Sequence, residues 1–391
     1  MVPENSVPAL TKGASLVSIM LKDRFTDALR SLGTLSRYEK FSLNRNPFPA
    51  IGIFSLANPK ENQFYSEVFV EAANLTRNCI RRSRQKTEQT VIFVNADCGQ
   101  GKSNFLGNLA LDFLHDEEIY PIFCQIYTSG GFSIVAERAF QWIGVEGYCD
   151  LMLSFAESLG FEPDEFYGRN PFFVFGKLVS TLEESFMVER KTVERVMRPF
   201  LMLDEGYSRL IQTSHIYKTL ILITLVELIK RVLKRKPLLI IDGLENRWMD
   251  INEDNRWWFF ENVLRFLKLT KGESTVVFSD SNLLKEKFSQ FLASESFDCT
   301  ILKVDLPSLD FSKSLKLVSD YLISARIHES SCDSWFPFTK SCIRYLYKVA
   351  GGNTRRLVTL CHHLIETGVD MNLSRITVET LTSLGLDQKQ S

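Results

Sequence analysis

In the stretch VNADCGQGKSN, Val94 to Asn104, a lysine and a serine close a glycine-containing loop. That spacing suits phosphate chemistry: backbone N–H groups converge on an anion at a helix N-terminus, a lysine adds a point charge, and a hydroxyl binds magnesium. Lys102 and Ser103 stand where the last two roles require, and Ala96, Asp97, Cys98, Gly99, Gln100, Gly101 and Asn104 complete the cradle. The first position, where a glycine is expected, holds Ala96, which adds only a methyl and is tolerated if its φ is negative. Cys98 is either a passive small residue or a thiol whose pKa Lys102 and the helix N-terminus would lower.

Three further stretches carry polar residues at the ends of apolar runs. In LLIIDGLE, Asp242 closes a buried run and can reach the magnesium water shell; a carboxylate beyond it can polarise an attacking water. The residue immediately after the aspartate is Gly243, so the nearest carboxylate is Glu245, which reads either as that group or as a turn residue. In VVFSDSN, Asn282 is the first choice and Ser279 the second for a contact to the terminal phosphate or the water, and Asn282 also suits an N-cap. In AGGNTRRL, Arg355 and Arg356 lie in the first turn of a helix, where cations oppose the dipole and so imply either an anionic partner or a solvated pair.

These residues need strands to carry them and helices to follow. The runs TVIFVN, IYPIFCQIY, PLLIID, STVVFSD and CTILKVDL read as five strands, separated by helical patterns that begin at Lys102, Ser133 and Arg256. Strands alternating with helices imply a mainly parallel sheet covered on both faces, an α/β core. A helix with Phe64, Val68, Phe69, Ala72 and Leu75 on its apolar face is predicted from Glu61 to about Arg84, and a short one around Ile19 to Leu32. After Pro307 only helices are predicted, four of them, with Asp310 and Asn353 as N-caps of the first and third. The division is residues 1–60 as an N-terminal arm, 61–306 as the core with a helical insertion at about 144–235, and 307–391 as a small helical domain.

Composition narrows the class. The chain has 391 residues, a formal charge of −1 and 45% hydrophobic residues, which fits a globular protein and gives no reason to expect one that coats nucleic acid. The eight cysteines form no CxxC pair, which argues against a zinc site or disulfide framework and fits a cytoplasmic chain. The N-terminus has no signal-peptide layout, and LILITLVELI, Leu220 to Ile229, is far short of the ~20 residues that span a bilayer. Two basic runs, RRSRQK from Arg81 and KRVLKRK from Lys230, would either meet DNA or end as solvated helix termini. Of Trp257, Trp258, Phe259 and Phe260, which cannot all face one side of a helix, some would face a partner or pack between sheet and helical domain.

In their order and spacing, ADCGQGKS, LLIIDGLE, VVFSDSN and GGNTRR resemble the AAA+ ATPases of the origin-recognition/initiator clade and related transposition and secretion ATPases; NPF, Asn46 to Phe48, resembles the lead-in segment of that branch. IIDGLE also resembles the second motif of NACHT-type signalling NTPases. The resemblance implies a P-loop core with a C-terminal helical lid, ATP and Mg2+ as ligands, Lys102, Asp242 and Glu245 at the reaction centre, a first sensor at Asn282 and a second at Arg355. It implies a homo-oligomer with protein partners acting in a DNA transaction; the alternative is a nucleotide-gated signalling or scaffold protein. Three departures stand out. The glutamate is displaced, no arginine lies between Arg265 and Arg326 to serve as a finger, and no winged-helix domain is expected before the end at Ser391.

Overall fold

The computed structural model describes residues 37–50, 68–126, 132–162, 171–186, 190, 194, 215–243, 253–280, 283–295, 297, 299–327 and 333–384. Helix α1 (Val70–Ser83) leads into β1 (Gln89–Asn95), the loop, and α2 (Lys102–Asp112). β2 (Ile119–Gln125) is followed by α3 (Ser133–Ser158), α4 (Pro171–Phe186) and α5 (His215–Leu228), the last running into a π-helical turn, Ile229–Leu233. Then come β3 (Lys236–Asp242), α6 (Glu253–Leu269), β4 (Thr275–Asp280), α7 (Leu283–Ser294) and β5 (Cys299–Asp305).

The five strands form one sheet in the order β2-β3-β4-β1-β5, and every pairing is parallel. Parallel strands are buried on both faces, and four of the five are apolar throughout their middle. Side chains alternate: Phe93, Cys124, Ile241 and Phe278 pack towards α3, α5, α6 and α7, while Val94, Phe123, Ile240 and Val277 pack towards α1 and α2. Because β1 is an interior strand, with β4 on one side and β5 on the other, the crevice outside the C-terminal strand ends opens where β1 leaves the sheet.

The helical segment after β5 contains α8 (Phe311–Ser324), α9 (Lys340–Ala350), α10 (Thr354–Asp370) and α11 (Val378–Ser383). Asp310 and Asn353 cap α8 and α10 as their residue types predict, accepting from the amides of Lys313 and Arg356. The fold is thus a P-loop α/β core with a five-stranded parallel sheet, followed by a helical domain.

One feature differs from the sequence reading, and two others add to it. Leu75, assigned to the buried face of α1, is 50% exposed, because Val68, Phe69, Ala72 and Ala73 already fill the contact with the core. Phe259 and Phe260 are both buried, stacking against Phe132, Phe288 and Phe291 between helices, so neither is available to a partner. The arm packs on the helical domain: Phe41, Leu43 and Phe48 are buried in it, Leu43 bridges Arg326, and the Glu366 carboxylate accepts from Tyr38 Oη and Asn46 Nδ2, both at 2.7 Å. Tyr38 is pushed up to about 12 by burial and by that carboxylate. The predicted helix at Ile19 to Leu32 lies outside the described residues.

Candidate functional site

The loop leaves β1 at Asn95 and ends where α2 begins, with Lys102 as the first helical residue. Ala96 is not among the residues with positive φ, so the missing glycine is tolerated on the condition the sequence sets. A short network shapes the loop: Asp97 N donates to Gln100 Oε1 (3.0 Å), Gln100 Nε2 to Asp97 Oδ2 (3.2 Å) and to Ser308 Oγ (2.8 Å). Lys102, 7% exposed, donates from Nζ to the Ala96 carbonyl at 2.5 Å, so its ammonium lies across the mouth of the loop. Among the described residues, the backbone N–H groups of Cys98, Gly99, Gly101 and Ser103 have no hydrogen-bond partner. Donors left open at a helix N-terminus are what an anion would satisfy. Asn104, which is buried, has an Oδ1 without a partner among the described residues.

Asp242 is 3% exposed at the end of β3, and Gln125, its register partner on β2, donates to its Oδ2 at 3.3 Å. Alternation puts Asp242 on the α2 side of the sheet, the side of Val94 and Phe123. Its neighbour Gly243 has φ +88, and a Cβ built there would lie 2.4 Å from the Ile126 carbonyl oxygen. The Ile126 peptide is itself tied to β3, since Ile126 N donates to the Asp242 carbonyl at 2.9 Å. A side chain directly after Asp242 would therefore need the backbone there to shift and to hold a strained φ. Ser279, fully buried, accepts from Gly243 N at 2.9 Å, so its hydroxyl holds the end of β3. Glu245 and Asn282 lie outside the described residues.

The helical domain meets the loop directly. Asn353 Nδ2 donates to the Cys98 carbonyl (2.7 Å), Arg355 N to the Gly99 carbonyl (2.8 Å) and Thr354 Oγ1 to the Gln100 carbonyl (3.3 Å). Arg355 and Arg356 are exposed, and neither guanidinium has a side-chain partner among the described residues. The sequence identifies Asn353 only as a cap; its second bond joins residues 255 apart, and no local pattern signals that. Gln125 escapes the sequence for a similar reason, because its role depends on strand register.

Several cations of the basic runs are engaged internally. Arg84 pairs with Glu118, Lys230 with Glu273 and Arg231 with Glu227. Arg235 donates to the Ile119 carbonyl, Lys236 to that of Ser83 (2.7 Å), and Arg81 lies over Phe113. Among the described residues there is no group of three metal-ligating side chains, and no helix is long and apolar enough to cross a membrane.

No family model matches the chain, and no curated protein does. Solved structures similar to it include a crystal structure of Cdc6p from Pyrobaculum aerophilum, with 10% identity, a TM-score of 0.42, and coverage of 80% of this chain and 68% of that one. A structure of the Aeropyrum pernix ORC2 protein (ADPNP-ADP complexes) has 9% identity and a TM-score of 0.41 over 82% and 67% of the two chains. One of Drosophila ORC bound to DNA has 13% identity and a TM-score of 0.38 over 100% and 70%. At these identities and scores they say nothing of ligand or partner.

Proposed function

We propose that the chain binds Mg-ATP at the loop between β1 and α2 and acts as an AAA+ type ATPase whose helical lid reads the occupancy of that loop. The observation that supports this is the set of open N–H donors at Cys98, Gly99, Gly101 and Ser103 in one loop with the Lys102 ammonium, the loop being joined to the helical domain by the Arg355 N to Gly99 carbonyl bond; Asp242 is buried at the end of β3. In this reading, the loop amides and Lys102 take the phosphates, Ser103 and Asp242 hold magnesium, and Arg355 answers the terminal phosphate from the lid. Glu245 and Asn282 remain the proposed water-polarising and sensing groups. Magnesium would neutralise developing charge on the phosphates; the protein groups position and desolvate them.

The action proposed is assembly with protein partners, homo-oligomeric or otherwise, in a DNA transaction. Arg84, Lys230 and Arg231 of the basic runs are paired internally, which leaves fewer of their cations for a direct DNA contact. A second reading, an ATP-holding scaffold with little turnover, draws on the crowded position at Gly243. ATP titration and turnover with and without DNA separate the two. DNA-stimulated turnover lost in Asp242→Ala and Glu245→Gln supports the ATPase; tight binding without turnover, lost in Lys102→Ala, supports the scaffold; absence of ATP binding refutes both.

A further inference from the structure

Asn353 makes two bonds with the two ends of one amide. Its Oδ1 accepts the Arg356 amide (3.0 Å), which caps α10, and its Nδ2 donates to the Cys98 carbonyl (2.7 Å), which lies in the phosphate loop. The neighbouring bonds, Arg355 N to Gly99 and Thr354 Oγ1 to Gln100, extend the contact along three successive loop carbonyls. The lid therefore holds the carbonyl side of the loop. The N–H groups of Gly99 and Gly101, joined to the Cys98 and Gln100 carbonyls through the same peptide planes, have no partner among the described residues. A peptide plane is rigid, so fixing a carbonyl fixes the direction of the N–H joined to it.

Gly99 is fitted to this contact. Its φ is +82, and a Cβ there would lie 2.6 Å from Asn353 Oδ1 and 2.8 Å from Nδ2. The lid residue occupies the space that a side chain at 99 would need. On the lid side, Leu309 N donates to the Gly352 carbonyl at 3.2 Å, which ties the turn before α10 to the chain leaving β5.

We propose that Asn353 is a positioning residue for the phosphate loop: its amide orients the peptide planes from Cys98 to Gln100, and thereby sets the phosphate-binding geometry from the lid. The proposal rests on the nucleotide-binding reading for its consequence, but the latch is measurable without nucleotide. It concerns a backbone contact distinct from any contact of the Arg355 guanidinium.

Asn353→Ser separates the two bonds. Serine caps a helix about as well as asparagine, leaves the charge unchanged, and is too short to reach Cys98. In nucleotide-free protein, amide hydrogen exchange in Asn353→Ser is expected to rise at Arg355 and through residues 97–101 while the rest of α10 keeps its protection. Affinity for ATP is expected to weaken about three- to tenfold, the loss of one neutral hydrogen bond. Gly99→Ala should weaken binding from the loop side, and the double variant should be less impaired than the sum of the two, because the shorter side chain relieves the clash. Unchanged exchange at Arg355 in Asn353→Ser would overturn the latch, and raised exchange with wild-type affinity would overturn the positioning role. Wild-type protein that fails to bind ATP would refute the nucleotide reading, and with it the positioning role, while the exchange comparison still reads the latch.

Discussion

Placing a glutamate directly after Asp242, by Gly243→Glu, looks from sequence alone like the repair of a catalytic motif. The structure leads to the opposite expectation. Residue 243 has φ +88, and for a non-glycine residue that conformation costs about 1–3 kcal/mol. The Cβ would sit 2.4 Å from the Ile126 carbonyl oxygen, so β2 or β3 must move at its C-terminal end. Such a shift costs the Ile126 N to Asp242 O bond, or the Gly243 N to Ser279 Oγ bond, about 1 kcal/mol each. The sum is about 2–4 kcal/mol, which for a core of this size corresponds to a fall of about 5–15 °C in its melting midpoint. Gly243→Ala should lose most of the same stability, since the Cβ and the φ are at fault rather than the carboxylate. The assays are thermal unfolding followed by circular dichroism and ATP turnover at saturating magnesium. A Gly243→Glu protein with wild-type stability and raised turnover would refute the reasoning, because it would show that the backbone at 243 accommodates a side chain and that a glutamate there works.

Lys102→Ala should reduce ATP affinity by at least tenfold without unfolding the chain, read by titration beside a melting curve, since the bond from Nζ to the Ala96 carbonyl lies within the loop itself. Iodoacetamide at pH 8 should label exposed Cys98 and leave Cys124, Cys342 and Cys361 unmodified: all three are buried, and burial raises the thiols of Cys124 and Cys361 well beyond the usual range and that of Cys342 to about 12. Mass spectrometry of the alkylated peptides reads this, and Mg-ATP should slow Cys98 labelling. Lys236 falls to about 8 through burial and the nearby Lys230, against 10.5 when free. Between those values the unfolded chain holds a proton that the folded one has lost, so this residue's contribution makes stability rise with pH from about 8 to 10.5. Urea midpoints across that range should rise less in Lys236→Met.

What the sequence makes legible is what local pattern encodes. β1, the loop and α2 can be read from one apolar run and one glycine-lysine-serine step, and the caps at Asp310 and Asn353 from side-chain type alone. The strand order is not legible, because β1 pairs with β4 and β5 across long stretches of chain and β1 to β4 are all apolar enough to occupy the centre. For the same reason the arm's place on the lid is hidden: Arg326 Nη1 reaches the Phe41 carbonyl over a separation of 285 residues. At the site, Lys102 and Asp242 lie where local pattern puts them, at the end of the loop and of a buried strand, whereas the contacts of Gln125 and Ser279 depend on register. Gly243 is visible as a departure from pattern, but its φ is not.

That φ bears on how the core would handle ATP. In a parallel sheet the groups that act on a nucleotide project from adjacent C-terminal strand ends, and each end has one residue that can turn towards the ligand before the chain leaves. At β3, Asp242 is the last residue of the strand and Gly243 leaves it, its N–H held by Ser279 and the space a Cβ would need taken by the Ile126 carbonyl. At β4, the Ser279 hydroxyl is engaged in holding β3. Two strand ends that would carry reactive groups therefore brace each other. Meanwhile the loop at β1 is gripped by the lid through three carbonyls. On the proposed nucleotide reading, rigidity of this kind, with the position after Asp242 crowded by backbone, would lower the free energy of a bound nucleotide without lowering the barrier to its hydrolysis. On this argument, a variant that loosens the lid, such as Asn353→Ser, should speed ATP release and leave the turnover of bound ATP unchanged. Stopped-flow release and single-turnover hydrolysis measure the two separately, and a parallel loss of single-turnover rate would show that the lid also serves the chemical step.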